Sequence, residues 1–162
     1  MRERTVELTH EGGMRFGAVT GSGHVLTFDD RADAAAPGPM ETIVAALAAC
    51  TAMDVVSIAL KKRQGIDSYR VHASAEQRDE YPQVYTRIDL VHEVVGPGVD
   101  EAAIRRCIEL SADKYCPVSA MLSAGATEVH HRYRIRNTGP EPFEVEDEVR
   151  VTGPAQSLAP IR

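Results

Sequence analysis

Three cysteines, Cys50, Cys107 and Cys116, are the residues of this chain best suited to covalent chemistry. The thiolate is the reactive form of cysteine, and the surroundings decide whether such a residue reacts or merely packs. Cys50 sits in PMETIVAALAACTAMDVVSIALKKR, residues 39–63, where Asp54 is the only charged residue between Thr42 and Leu60. From the residues alone, Cys50 reads as a small packing residue of a buried helix. Cys116 directly precedes Pro117 in LSADKYCPVSAML, residues 110–122. It falls at a helix junction, where free N–H groups and the helix dipole stabilise a thiolate. The plain alternative is a residue that simply fits before proline. Cys107 lies on the apolar side of its helix and reads as structural. The spacing from 107 to 116 matches neither a zinc knuckle nor a CxxC redox pair.

Two carboxylates share the Cys50 stretch. Asp54 falls one turn beyond Cys50 on the same helical face. Buried there, it must be paired or protonated, and a charged Asp54 close to the thiol would oppose thiolate formation. It reads as structural, accepting hydrogen bonds from a backbone, a tyrosine or a histidine. Glu41 precedes Cys50 by nine residues, which is about 13 Å of rise and roughly 900° of rotation. The two therefore lie on opposite sides of one helix, and Glu41 acts on Cys50, if at all, through another group. Its simpler role is a dipole partner at the helix N-terminus. Adjacent His130 and His131 point to opposite faces of a strand and cannot share a metal. His24, beside the Gly21–Gly23 turn, is the histidine placed to approach a site. No metal or cofactor is expected from these spacings.

The elements that must hold these residues follow from periodicity. Thr5–Thr9, Met14–Val19 and His24–Phe28 alternate as three strands joined by glycine turns, an antiparallel meander. Pro39 suits a first helical position, Glu41 the first turn, and Lys61 to Arg63 the last, with Gly65 as C-terminal cap. A helix apolar on all sides is buried on all sides, by its own fold or by a second subunit. Two long strands follow, Tyr69–Gln77 and Val84–Val95. Asp100 caps a helix carrying Ile104, Cys107 and Ile108, and a short helix spans Val118–Ala124. Thr127–Arg136 is the last core strand. Residues 1–136 thus form one α+β domain of order β-β-β-α-β-β-α-α-β, with the long helix packed against antiparallel sheets. Residues 137–162 form an acidic, proline-containing tail, in which Val145, Val149 and Val151 pair as an edge strand or else stay mobile.

A net charge of −6 argues against a general nucleic-acid or anionic-membrane binder. The central stretch is just long enough to span a bilayer. Its alanine content, and the cost of about 2.5–3.5 kcal/mol for Asp54 in the bilayer, argue against that. Cysteines without an export signal point to reduced thiols in the cytoplasm.

Two motifs and the order of elements resemble the OsmC/Ohr family of thiol-dependent hydroperoxide reductases. One is GPMETIVAALAACTAMDVVSIAL, residues 38–60, with Pro39, Glu41 and Cys50 in the family's positions. The other is the Cys116 motif. The resemblance covers residues 1–136 and implies the OsmC-like fold, an intertwined homodimer, and a reaction. Cys50 would be the peroxidatic thiol, Cys116 the resolving one, an organic hydroperoxide the substrate, and a dithiol of lipoyl or thioredoxin type the reductant. It also implies an arginine from the N-terminal strands paired with the helix glutamate. Arg15 is the first choice and Arg31 the second, though neither sits in a matching motif. The competing expectation is a non-enzymatic dimer that binds a small apolar ligand between subunits, its cysteines merely packed.

Overall fold

The computed structural model describes residues 3–31 and 33–149. It divides into two compact units, residues 1–43 and 44–162.

The first unit is the expected meander: β1 (Val6–Gly12), β2 (Arg15–Thr20) and β3 (Val25–Phe28), in that order and antiparallel. Gly12 and Gly13 make the first turn with φ of +112° and +58°. L-residues with a Cβ rarely adopt that geometry, so glycine sets the hairpin. Asp29, at the end of β3, is buried and held by both ends of the Arg31 fork, Nε at 2.9 Å and Nη2 at 2.7 Å.

Helix α1 runs from Pro39 to Lys61 and crosses the boundary between the units. Thr42 starts it, donating from both its N–H and its hydroxyl to the Gly38 carbonyl. The end differs from expectation. Arg63, at φ +56°, takes the left-handed position assigned to Gly65. Gly65 is needed elsewhere: its N–H donates to Gly98, and a Cβ on it would come within 3.1 Å of the Gly98 nitrogen.

The second unit is one sheet of order β4 (Ser68–Gln77), β5 (Tyr85–Gly96), β6 (Glu128–Asn137), β7 (Phe143–Val149), with helices α2 (Glu101–Leu110) and α3 (Pro117–Ser123) between β5 and β6. That helical crossover returns the chain to the start of β5, so β5 and β6 pair in parallel. The expected antiparallel pairing holds for β4–β5 and β6–β7. Asp100 caps α2 as expected, its carboxylate accepting from the Ala103 N–H at 2.7 Å. Ile104, Cys107 and Ile108 of α2, with Val55 and Ala59 of α1, pack onto Val94, Tyr133, Ile135 and Val149 of the sheet.

Part of the acidic segment becomes β7, and the register explains its charge. Arg132, Arg134 and Arg136 of β6 stand opposite Glu148, Glu146 and Glu144. Arg134 closes on Glu146 at 3.0 Å. Opposite charges facing across a strand pair stabilise it, and charge on an edge strand discourages further pairing. Val145 and Val149 lie on this edge strand, one of the two expected alternatives, and also pack against the core; Val151 lies outside the described residues.

Of the two expected ways of burying α1, the chain's own fold supplies only part. Only Leu47, Thr51, Val55 and Ala59 are fully buried, one stripe at helical spacing. Met53 is 73% and Leu60 67% exposed.

Candidate active site

The second unit brings Cys50 and Cys116 together. Cys50 lies midway along α1, half-buried. Cys116 is the residue before α3 and is 2% exposed. Its place is set by two local features. Pro117 keeps its predecessor out of the helical region, and Cys116 has φ −76° and ψ +102°. Just before it, Ser111–Tyr115 widens into a π-helical turn, closed by the Cys116 N–H on the Ser111 carbonyl at 2.8 Å. Such turns insert one extra residue and re-aim the side chains beyond them. The sequence shows only a helix interrupted by proline, so the π turn was not legible.

Cys50 Sγ, Cys116 Sγ and a carboxylate oxygen of Asp54 lie within 4.8 Å of one another. All three cysteines are free thiols. Cys116 Sγ accepts from the Ser119 N–H at 3.4 Å. Burial pushes the Cys116 thiol up to about 12, and the neighbouring Cys50 thiol adds to the shift. Asp54 is paired, but not by a tyrosine or histidine. The Ser111 hydroxyl donates to its Oδ2 at 3.0 Å, and Ser111 Oγ also lies 3.0 Å from Thr51 Oγ1. Thr51 and Ser111 are fully buried. A Thr51–Ser111–Asp54 chain therefore fixes the carboxylate beside the sulfurs. Sequence reasoning found Asp54 but missed Ser111, which carries no spacing signal and becomes visible only when α2 and its π turn are laid against α1.

The other expected site residues stand apart in their roles. Cys107 is fully buried in the core, where burial raises its pKa, as its structural reading requires. Arg15 pairs with Glu11 at 2.9 Å on the surface of the first unit. Arg31 is committed to Asp29, and its guanidinium holds that carboxyl below its usual range. Glu41 is exposed in the first turn of α1. His24 accepts or donates within its own turn, Nδ1 lying 3.1 Å from Ser22 Oγ.

Two histidines given no role form a buried polar line. Tyr69 Oη is 2.6 Å from His92 Nδ1, and His92 Nε2 is 3.1 Å from His131 Nδ1. The bonds are satisfied in sequence when Tyr69 donates to His92 and His92 donates to His131. That leaves His131 Nε2 buried without a partner among the described residues.

The model for "OsmC-like protein" matches residues 31–132. Protein YhfA of Escherichia coli K12 is 38% identical over 123 residues, 76% of this chain and 91% of that protein. Among solved structures, a hypothetical protein from Aquifex aeolicus is 26% identical, with a TM-score of 0.74 over 85% of this chain and 100% of its own. An organic hydroperoxide resistance protein from Elizabethkingia anophelis is 16% identical, with a TM-score of 0.63 over 85% of this chain and 98% of its own, a likeness of fold. The matched span holds both cysteines of the cluster, and the chain belongs to the OsmC-like protein family.

Proposed function

We propose that the chain reduces organic hydroperoxides with Cys50 and Cys116 as its redox pair. The observation that carries this reading is the approach of the two free sulfurs to within 4.8 Å. A disulfide needs them about 2.05 Å apart, a closure within reach of side-chain rotation. Their exposures suit the division of labour, since the half-buried thiol meets a substrate and the buried one waits behind it.

The Cys50 thiolate attacks the distal peroxide oxygen, the O–O bond breaks, and the alkoxide leaves as alcohol after taking a proton. Cys50 is left as a sulfenic acid. The Cys116 sulfur displaces its hydroxyl, forming the disulfide and releasing water. A dithiol then exchanges with the disulfide, returns both thiols and is itself oxidised. Capture by Cys116 matters because a persisting sulfenic acid proceeds to irreversible sulfinic acid. Glu41 and Arg15 enter as a supporting charge pair. The present Arg15–Glu11 bridge is exposed and weak, so Arg15 is readily released from it. The likeness of fold to an organic hydroperoxide resistance protein supports the substrate class.

The working unit in this reading is a homodimer in the cytoplasm. The Met53 and Leu60 face of α1 is the kind of apolar patch a second subunit covers. The same face favours a second reading, a dimer that binds a small apolar ligand and does no chemistry. Consumption of cumene hydroperoxide with dithiothreitol separates them. The enzyme reading expects turnover that Cys50→Ser abolishes and Cys107→Ser keeps; full turnover in Cys50→Ser overturns it.

A further inference from the structure

We propose that the reduced chain also binds a thiophilic divalent cation, zinc first among them, through Cys50 Sγ, Cys116 Sγ and the Asp54 carboxylate. A carboxylate aimed at two sulfurs hinders thiolate formation and gives a peroxidase nothing obvious. For a cation it is the missing ligand. The three donor atoms already converge within 4.8 Å, from α1 and from the junction before α3. Tetrahedral zinc, with bonds of about 2.3 Å to sulfur, sets two sulfurs about 3.8 Å apart. Small rotations of side chains already in place achieve that.

The surroundings are those of a ligand set. Ser111 donates to Asp54 Oδ2 and is itself tied to Thr51, so the carboxylate is oriented by a buried second layer. Outer partners of this kind fix the direction of metal ligands and raise their affinity. Cys116 Sγ takes an N–H from Ser119, which supports a negative sulfur. Three protein ligands leave a fourth position for water, the ligand count of catalytic zinc. On binding, each thiol gives its proton to solvent, and both thiolates and the carboxylate bond the ion. The ligands come from helices brought together by the fold, and that is why spacing along the chain gave no metal signature.

Metal and disulfide are mutually exclusive states of the same two sulfurs. A bound ion would hold the thiols against oxidation until removed.

Cobalt(II) is the probe. Anaerobic, reduced, reductant-free protein is titrated with Co2+, with no peroxide present, so the outcome is independent of the reductase reading. The expected result is a thiolate-to-cobalt charge-transfer band with visible bands of tetrahedral cobalt. These saturate at one ion per chain, vanish when zinc is added, and are absent from protein oxidised to the Cys50–Cys116 disulfide. Asp54→Asn, nearly equal in size, weakens binding by at least about tenfold, and Ser111→Ala by about tenfold. Cys107→Ser leaves the spectrum unchanged. Folded, fully reduced wild-type protein without the charge-transfer band overturns the proposal. So does an Asp54→Asn variant of undiminished affinity, or a band that depends on Cys107.

Discussion

The Tyr69–His92–His131 line makes stability depend on pH in a defined window. Both rings are fully enclosed, and burial lowers their pKa from the usual 6.5, His92 to about 3 and His131 to about 4. Each also suffers from a neighbouring histidine, His131 on His92 and His130 on His131. The unfolded chain therefore takes up these protons first as pH falls. Their neutral forms support the fold fully above pH 6.5, and that support is lost between 6.5 and the folded values. At about 1.4 kcal/mol per pKa unit, His131 alone represents on the order of 3 kcal/mol by pH 4. Urea unfolding at steps from pH 7.5 to 4 should show the midpoint falling below 6.5. His131→Leu, which removes the titrating ring and its orphan nitrogen together, should flatten that fall. Carboxylates titrate in the lower part of the window, so imidazole proton resonances provide the direct check. His92 and His131 should not titrate above pH 5. A midpoint near 6.5 for either buried ring would contradict this pH dependence.

Other outcomes follow from named contacts. Leu47→Ala, at a fully buried position of α1, should cost about 2–5 kcal/mol in urea unfolding. Asp100→Ala should cost about 0.5–2 kcal/mol through loss of the α2 cap. Gly96→Ala should be strongly destabilising, because the new methyl would run into the Gly65 carbonyl; a thermal midpoint unchanged from wild type would contradict this contact. Met53→Glu should leave a folded monomer in sedimentation if a second chain covers the α1 face, and an unchanged dimer would place the interface elsewhere.

The sequence was most legible where one residue type answers one local demand. Pro39 and Glu41 begin α1, Asp100 caps α2, and Pro117 forces the break at Cys116; all are visible in the chain. Alternating valines and alanines similarly gave the strands of both sheets. Legibility failed where two segments had to meet. Gly65 looked like a cap because its other duty, contact with Gly98, depends on a residue more than thirty positions away. The parallel pairing of β5 and β6 depended on where the crossover returned. The acidic run looked like a tail, although its glutamates at 144, 146 and 148 have the spacing of Arg136, Arg134 and Arg132 on β6. At the site, resemblance joined Cys50 to Cys116, but Ser111 had no signature and Asp54 was given the wrong class of partner.

In the proposed reaction Cys50 and Cys116 form one redox couple. It is tested most directly by treating fully reduced protein with one equivalent of cumene hydroperoxide and mapping the cysteines by mass spectrometry without reduction. The expected product is a Cys50–Cys116 cross-linked peptide pair with Cys107 still a thiol. Cys50 driven to sulfinic acid while Cys116 remains reduced, or a bond involving Cys107, would contradict it.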